Sequence, residues 1–170
     1  MALEIGRTVT KWIRFAVNCT TNAAAEIPID SLSPIGFVYD ETEVTAWQDA
    51  VKSYLANQPD AIIEVTGPFD TSPVVALAAS GLAPALSGSH TVLAGLPALS
   101  HPIGVWIGWG MRGYWTAAED PAFGVIAATP AVGYTCTKYV VEGQKYSARF
   151  VPYGATVPAW GTAIIGAYTP

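Results

Sequence analysis

Short runs of alternating side chains, separated by turn residues, constrain the fold of this chain more than any other feature of its sequence. In the clearest run, residues 61–69, the apolar Ile63 and Val65 alternate with the polar Glu64 and Thr66. Because successive side chains of an extended chain point to opposite faces, a period of two predicts a β-strand with one buried face. Several such runs follow one another along the chain, and together they predict a mainly β fold.

The other strand-like runs occur in both halves of the chain. They fall at residues 11–18, 26–30, 36–39, 103–109, 124–127, 133–141 and 145–152. The last two flank Gly143 in a short loop, which is typical of a β-hairpin. In the first run, Phe15 and Val17 would share one face, with Arg14 on the other. A chain of 170 residues is the size of one domain, and we expect residues 1–170 to form a single one.

One segment between these runs has helical periodicity instead. Its apolar residues recur at helical spacing: Val44, Trp47, Val51, Tyr54 and Leu55. Thr45 and Gln48 have the spacing of a capping box, so the pattern predicts a helix over residues 45–55. A second, shorter helix is predicted around residues 90–98. The core positions predicted from these patterns are Trp47, Val51, Tyr54 and Phe69.

Residues 70–89 are rich in Ala, Ser, Gly and Pro and predict a long loop. After Asp70 this loop contains no charged residue, so its apolar side chains would be exposed in a free chain. Ordering against a neighbouring subunit would bury them. The C-terminal tail, residues 154–170, is also apolar, and we expect it to dock. The predicted assembly interface comprises Val74, Val75, Leu77, Leu82, Leu86 and Trp160.

The balance of apolar and charged residues indicates a subunit of an assembly. Hydrophobic residues make up 51% of the chain and charged residues 12%, about half the usual charged share. Such a composition fits either a well-buried domain or a subunit that covers its surface with neighbours, and the second is favoured because large apolar surfaces are normally interfaces. The net charge of −5, without a basic cluster, argues against sequence-specific or conventional nucleic-acid binding. Residues 71–111 contain no charge, but prolines interrupt them and no membrane span is expected.

Side chains that could carry catalysis or bind metal are few. His90 and His101 are the only histidines, and no nucleophile motif, phosphate-binding loop or metal-ligand spacing accompanies them. We therefore predict no enzymatic activity, no catalytic residue, no bound metal and no cofactor. Cys19 and Cys136 are far apart in sequence, and whether they pair stays open.

The central block and the late hairpin resemble a known family. Residues 38–55 lead into residues 59–71, and Ser87-Gly88-Ser89-His90-Thr91-Val92-Leu93 follows the loop. Together with residues 134–141 and 146–150, this order resembles siphophage tail-tube proteins. The resemblance implies a tail-tube-like β-sandwich or half-barrel with one short α-helix and a long loop. It also implies subunits that stack as rings.

Two functions from different classes follow from that resemblance. The first is a major tail-tube subunit of a bacteriophage virion, with copies of itself and other virion proteins as partners, assembled in the cytoplasm of the bacterial host. The alternative is a capsid decoration or minor capsid protein with the same fold. A ligand-binding module rests on the tryptophans alone and is the third candidate. The first two differ in where the protein is placed in the particle, and the sequence barely separates them.

Overall fold

Antiparallel strand pairing organises the described part of the chain. The computed structural model describes residues 13–18, 24–46, 51–52, 54–75, 86–109, 121–125, 133–154 and 158–162. The strands are β1 (Ile13–Asn18), β2 (Ala24–Ile27), β3 (Ser31–Leu32), β4 (Val38–Glu43), β5 (Tyr54–Asp60), β6 (Ile63–Pro68), β7 (Val105–Trp109), β8 (Pro121–Val125), β9 (Tyr134–Glu142), β10 (Lys145–Pro152) and β11 (Ala159–Thr162). Within these residues one short helix, α1 (Ser89–Leu93), precedes a 3-10 turn at Leu96–Ala98.

Two larger sheets face each other across one core. The first has five strands in the order β11-β8-β7-β1-β2, and the second has four in the order β3-β6-β10-β9. Phe15 of β1 and Phe150 of β10 meet in the middle, with their ring centroids 5.6 Å apart. Val92 and Leu93 of α1 are buried in the same cluster, so the helix closes one side of the sandwich. Burial of each such side chain contributes roughly 1.5–3 kcal/mol to folding.

The two sheets are also joined through the backbone. Ile103, just before β7, exchanges both of its backbone hydrogen bonds with Tyr134 at the start of β9, at N···O distances of 2.9 and 2.7 Å. The Tyr134 hydroxyl then donates to the carbonyl oxygen of Ala61. This corner fixes the position of the β9–β10 hairpin relative to the first sheet.

The β9–β10 hairpin follows its sequence signal closely. Gly143 and Gln144 form a two-residue turn, with Gly143 at φ 60°, a conformation that glycine adopts without steric cost. The mainly β fold with one short helix is thus confirmed. The predicted strand at 61–69 and the hairpin correspond to β6, β9 and β10, and the predicted short helix at 90–98 corresponds to α1 and the 3-10 turn.

The helix predicted over residues 45–55 is wrong. Tyr54 and Leu55 begin β5, where they lie opposite Glu43 and Thr42 of β4. Hydrogen bonding with the preceding strand, β4, decided this conformation, and the side-chain spacing of residues 45–55 does not reveal such a partner. Trp47 lies outside the described residues.

Three of the predicted core positions are also wrong. Val51 is 77% exposed, and Tyr54 is 52% exposed, because both lie on or beside a two-stranded hairpin that neither large sheet covers. Phe69 follows the end of β6 and is 38% exposed, with one side of its ring against the His90 ring. The described core is formed instead by the facing strands of the two sheets.

Candidate assembly surface

A two-stranded hairpin projects from the sandwich. Strands β4 and β5 pair with each other and belong to neither of the larger sheets. The hairpin is held at its base, where the Phe37 ring packs edge-on against Phe123 at 5.9 Å and Ala61 is buried. We call residues 38–60 the acidic arm. An isolated two-stranded hairpin is marginally stable in water, so an arm of this kind gains stability by pairing with another strand.

The acidic arm has exposed apolar side chains, and its sequence carries most of the net charge of the chain. The exposed large hydrophobic residues on or beside its strands are Val38, Tyr39, Val44, Val51 and Tyr54. The segment contains five acidic residues against one lysine, Lys52, which pairs with Glu43 at 3.1 Å. That pair is solvent-exposed and contributes little to stability. An apolar surface carrying one sign of charge is typical of a docking surface for a partner of opposite charge.

The predicted long loop begins and ends in an ordered structure, which we call the loop stem (residues 70–75 and 86–90). The Ser87 hydroxyl accepts a hydrogen bond from the Val75 amide at 2.8 Å and donates one to the Val75 carbonyl oxygen at 3.0 Å. The Ser87 amide donates to the carbonyl of Glu26 on β2. The stem is therefore attached to the edge of the five-stranded sheet.

A second serine, Ser89, closes the stem two residues further along the chain. The Ser89 hydroxyl accepts from the Asp70 amide and donates to the Pro68 carbonyl oxygen, at 3.0 and 2.7 Å. Hydrogen bonds from the Ser72 hydroxyl and amide hold the pKa of the Asp70 carboxyl below its usual value. Gly88 packs so closely on the Ser72 backbone that a side chain there would collide with it. These contacts order the base of the loop without any partner subunit.

The two histidines occupy structural positions. His90 Nδ1 lies 2.9 Å from the Tyr139 hydroxyl on β9, and its ring also packs on Phe69 at 4.9 Å. His90 thus connects α1 to the outer strand of the second sheet. His101 Nδ1 lies 3.2 Å from the Pro102 carbonyl oxygen. Neither arrangement pairs an imidazole with a nucleophile.

Part of the C-terminal tail completes the five-stranded sheet. Strand β11 pairs with β8, and Trp160 lies opposite Phe123. The Trp160 ring stacks on Trp109, with centroids 5.4 Å apart and planes at 29°. Trp160 is nevertheless 51% exposed, so a large aromatic surface is left at this edge of the sheet.

The predicted interface residues do not form one surface. Val74 is 46% exposed and Val75 and Leu86 are half-buried at the loop stem, whereas Leu77 and Leu82 lie outside the described residues. Trp160 is on β11, at the opposite edge of the sheet from β2, which holds the stem. Four strand spacings separate these edges, roughly 19 Å. Their role in assembly stays a prediction.

Sequence reasoning missed a buried ion pair on the outer face of the five-stranded sheet. Arg14 Nε and Nη2 donate to the two carboxylate oxygens of Glu26 at 3.1 and 2.8 Å, and both side chains are 3–4% exposed. The Arg14 guanidinium lies 5.6 Å from the Trp106 ring centroid. The available sequence signal was one charged residue in each of two neighbouring apolar strands, Arg14 in β1 and Glu26 in β2, with opposite signs. Because this face is buried, the alternation of polar and apolar side chains along these strands does not indicate which face is exposed to solvent.

The side chains of the described residues limit the chemistry that this part of the chain can support. Among them no group of three or more His, Cys, Asp or Glu side chains could hold a metal ion. No helix in the described part of the chain is long and apolar enough to cross a bilayer. Cys136 is buried, and its burial raises the pKa of the thiol to about 11, so it is a poor nucleophile at neutral pH.

Comparison with known proteins finds similarity at the level of fold. Neither protein-family models nor curated proteins match the sequence. Among solved structures, the anti-feeding prophage cap, a tube-terminating cap, superposes with a TM-score of 0.51 over 88% of this chain and 89% of that chain, at 12% identity. The sheath/tube terminator of the PVC extracellular contractile injection system gives a TM-score of 0.49 over 88% and 94%, at 11% identity. The chain therefore has a fold similar to that of the anti-feeding prophage cap.

Proposed function

We propose that this protein is a structural subunit of a phage tail or phage-tail-like particle, and that it forms a ring that terminates the tail tube. The fold likeness to the anti-feeding prophage cap, which extends over most of both chains, is the observation that carries this proposal. The exposed arm and the exposed Trp160 supply the kind of surface that a ring subunit buries against its neighbours. A structural subunit needs no catalytic group, and we expect no hydrolytic activity.

The major tail-tube subunit is the second candidate. It is supported by the resemblance of residues 38–55, 59–71, 87–93, 134–141 and 146–150 to siphophage tail-tube proteins, which implies subunits that stack as rings. The difference lies in growth: a tube subunit stacks ring upon ring, whereas a terminator ends the stack. In either role the copies of this chain and other tail proteins are its partners.

Electron microscopy of the purified protein over a range of concentrations separates these roles. Single closed rings that do not lengthen with concentration are expected for a terminator. Tubes that lengthen with concentration would move the assignment to the major tube subunit. A small oligomer that binds only assembled heads would replace both by the capsid decoration role, and a protein that stays monomeric at every concentration would refute a ring-forming subunit.

A further inference from the structure

Strand β11 forms one edge of the five-stranded sheet. It pairs with β8 on its inner side, and among the described residues no strand lies beyond it. Opposite Thr162 on β8 is Pro121, which has no amide, so these two residues cannot exchange the two bonds of a hydrogen-bonded pair. Because bonded and non-bonded pairs alternate along an antiparallel ladder, Trp160 and Phe123 are not a bonded pair either. The amide and the carbonyl of Trp160 therefore point away from β8, toward the outer edge.

The Trp160 side chain adds a large apolar surface to this edge. Its ring stacks on Trp109 and is still 51% exposed. Strand β11 contains neither a charged residue nor a proline, two devices with which proteins commonly protect an open edge. Tryptophan is enriched among the residues that contribute most to the binding energy of protein interfaces. This edge therefore has the features of an interface.

The loop stem lies at the opposite edge of the same sheet and presents a second apolar surface. The Ser87 amide attaches it to Glu26 of β2, and the Val74 side chain is 46% exposed. No described residue forms a hydrogen bond with the backbone of Val74. The stem therefore offers an exposed apolar side chain beside main-chain groups that can still form hydrogen bonds.

Exposed charge is absent from the described part of the five-stranded sheet. Its strands contain two charged residues, Arg14 and Glu26, and both are buried in one ion pair. The fully exposed charged residues among those described lie on the acidic arm or on the second sheet and its flanks. A chain with a net charge of −5 repels its own copies, and this repulsion is weakest between surfaces that carry no charge. The two edges of the five-stranded sheet are therefore suited to contacts between copies.

We propose that the β11 edge of one copy of this chain packs against the loop stem of the next copy, with the Trp160 ring covering Val74. The inference rests on the proposed ring-forming function and specifies its contact. A ring of identical subunits needs two different surfaces on each subunit, one toward each neighbour. Strand β11 and the stem lie at opposite edges of one sheet, so each copy can use one edge toward each neighbour. This head-to-tail arrangement closes into a ring when the rotation between copies allows it.

Substitution of two exposed valines tests the contact. Val74→Lys would bury an unpaired charge in the contact and should raise the protein concentration needed for ring formation by about tenfold or more, as measured by sedimentation. Val140→Lys is the matched control, because Val140 is 48% exposed on β9 of the second sheet, and it should assemble like the wild type. Both side chains are exposed in the monomer, so both variants should unfold near the wild-type denaturant midpoint. Trp160→Ala removes the aromatic ring and should weaken assembly to a similar extent.

Cysteine cross-linking tests the direction of the contact. Val74 and Ala159 are both exposed, and in the proposed ring Val74 of one copy lies beside β11 of the next. With a short bis-maleimide, the double variant Val74→Cys/Ala159→Cys should give a ladder of linked chains up to the closed ring. An equal mixture of the two single variants should stop at dimers, and neither single variant alone should link. The wild type, treated in the same way, controls for the native cysteines.

The outcomes separate the contact from the function. If Val74→Lys assembles as the wild type does, or if the double variant does not link between chains, the contact is refuted and the ring-forming function stands. Dimers from Ala159→Cys alone would show that two β11 edges meet each other, which refutes the head-to-tail arrangement. A wild type that never forms rings refutes the function and the contact with it.

Discussion

Removing the charge of Glu26 should destabilise the folded monomer severely. Glu26 and Arg14 are joined by two hydrogen bonds, and both are almost fully buried between strands of the five-stranded sheet. In Glu26→Gln the guanidinium of Arg14 stays buried against the Trp106 ring and loses the negative charge of Glu26. Breaking a buried pair by removing one partner costs about 3–5 kcal/mol, a large share of the ~5–15 kcal/mol that stabilises an ordinary domain.

Urea unfolding of the monomer, followed by tryptophan fluorescence, measures this loss. The matched control is Glu64→Gln, because Glu64 pairs with Arg149 at 3.3 Å on the surface, where both side chains are about half exposed. A surface pair contributes about 0–1 kcal/mol, so the control should unfold close to the wild type. The double variant Arg14→Met/Glu26→Leu removes both charges together and should recover most of the lost stability.

Two outcomes would contradict this reasoning. A loss below about 1 kcal/mol in Glu26→Gln would mean that the pair is solvated and that the outer face of the sheet is not buried. A double variant less stable than Glu26→Gln would mean that the charged pair stabilises the fold more than apolar side chains in its place do.

Three further predictions concern other parts of the sandwich. Gly124→Ala should lower the free energy of unfolding by about 1–3 kcal/mol from backbone strain alone, because φ is +143° at this position. The added Cβ would also collide with the Val105 carbonyl oxygen. Denaturant unfolding of the variant measures the loss, and an unchanged midpoint would contradict the prediction. Burial raises the pKa of Cys136 from 9.0 to about 11, so between these pH values the folded state keeps a thiol proton that the unfolded chain loses. The contribution of the protonated thiol to the free energy of unfolding is therefore complete below pH 9 and is lost toward pH 11. The stability advantage of the wild type over Cys136→Ala should shrink across that interval. Replacing residues 76–85 by a short Gly-Ser linker should leave the circular dichroism spectrum and the melting temperature of the monomer near those of the wild type, since the loop stem stays intact, whereas a collapse of the fold would show that the excised segment is part of the core.

Local patterns predicted the parts of the fold in which the side-chain pattern and the observed element agree. The alternation at 61–69 and the hairpin turn at Gly143 found β6, β9 and β10, because the signal and the structure occupy the same residues. The helix predicted over 45–55 failed for the opposite reason. Its apolar spacing satisfies a helical face, yet Tyr54 and Leu55 pair with a strand about a dozen residues away.

The candidate surfaces were predictable only in part. Val74 and Trp160 were assigned to assembly from the apolar character of their segments, and both side chains are exposed. The acidic arm was not foreseen, because its apolar residues were assigned to a buried helix. Arg14 was placed correctly opposite Phe15, but which face of a strand is covered depends on the tertiary fold, and alternation alone does not report it.

The loop stem also determines where this chain tolerates change in length. The bonds that close it join the Ser87 hydroxyl to the backbone of Val75, so they depend on no side chain between those two positions. The closure entropy of a flexible segment rises by only about 0.6 kcal/mol for each doubling of its length. We therefore expect insertions between residues 76 and 85 to leave the strand register undisturbed, because the stem closes the segment on its own.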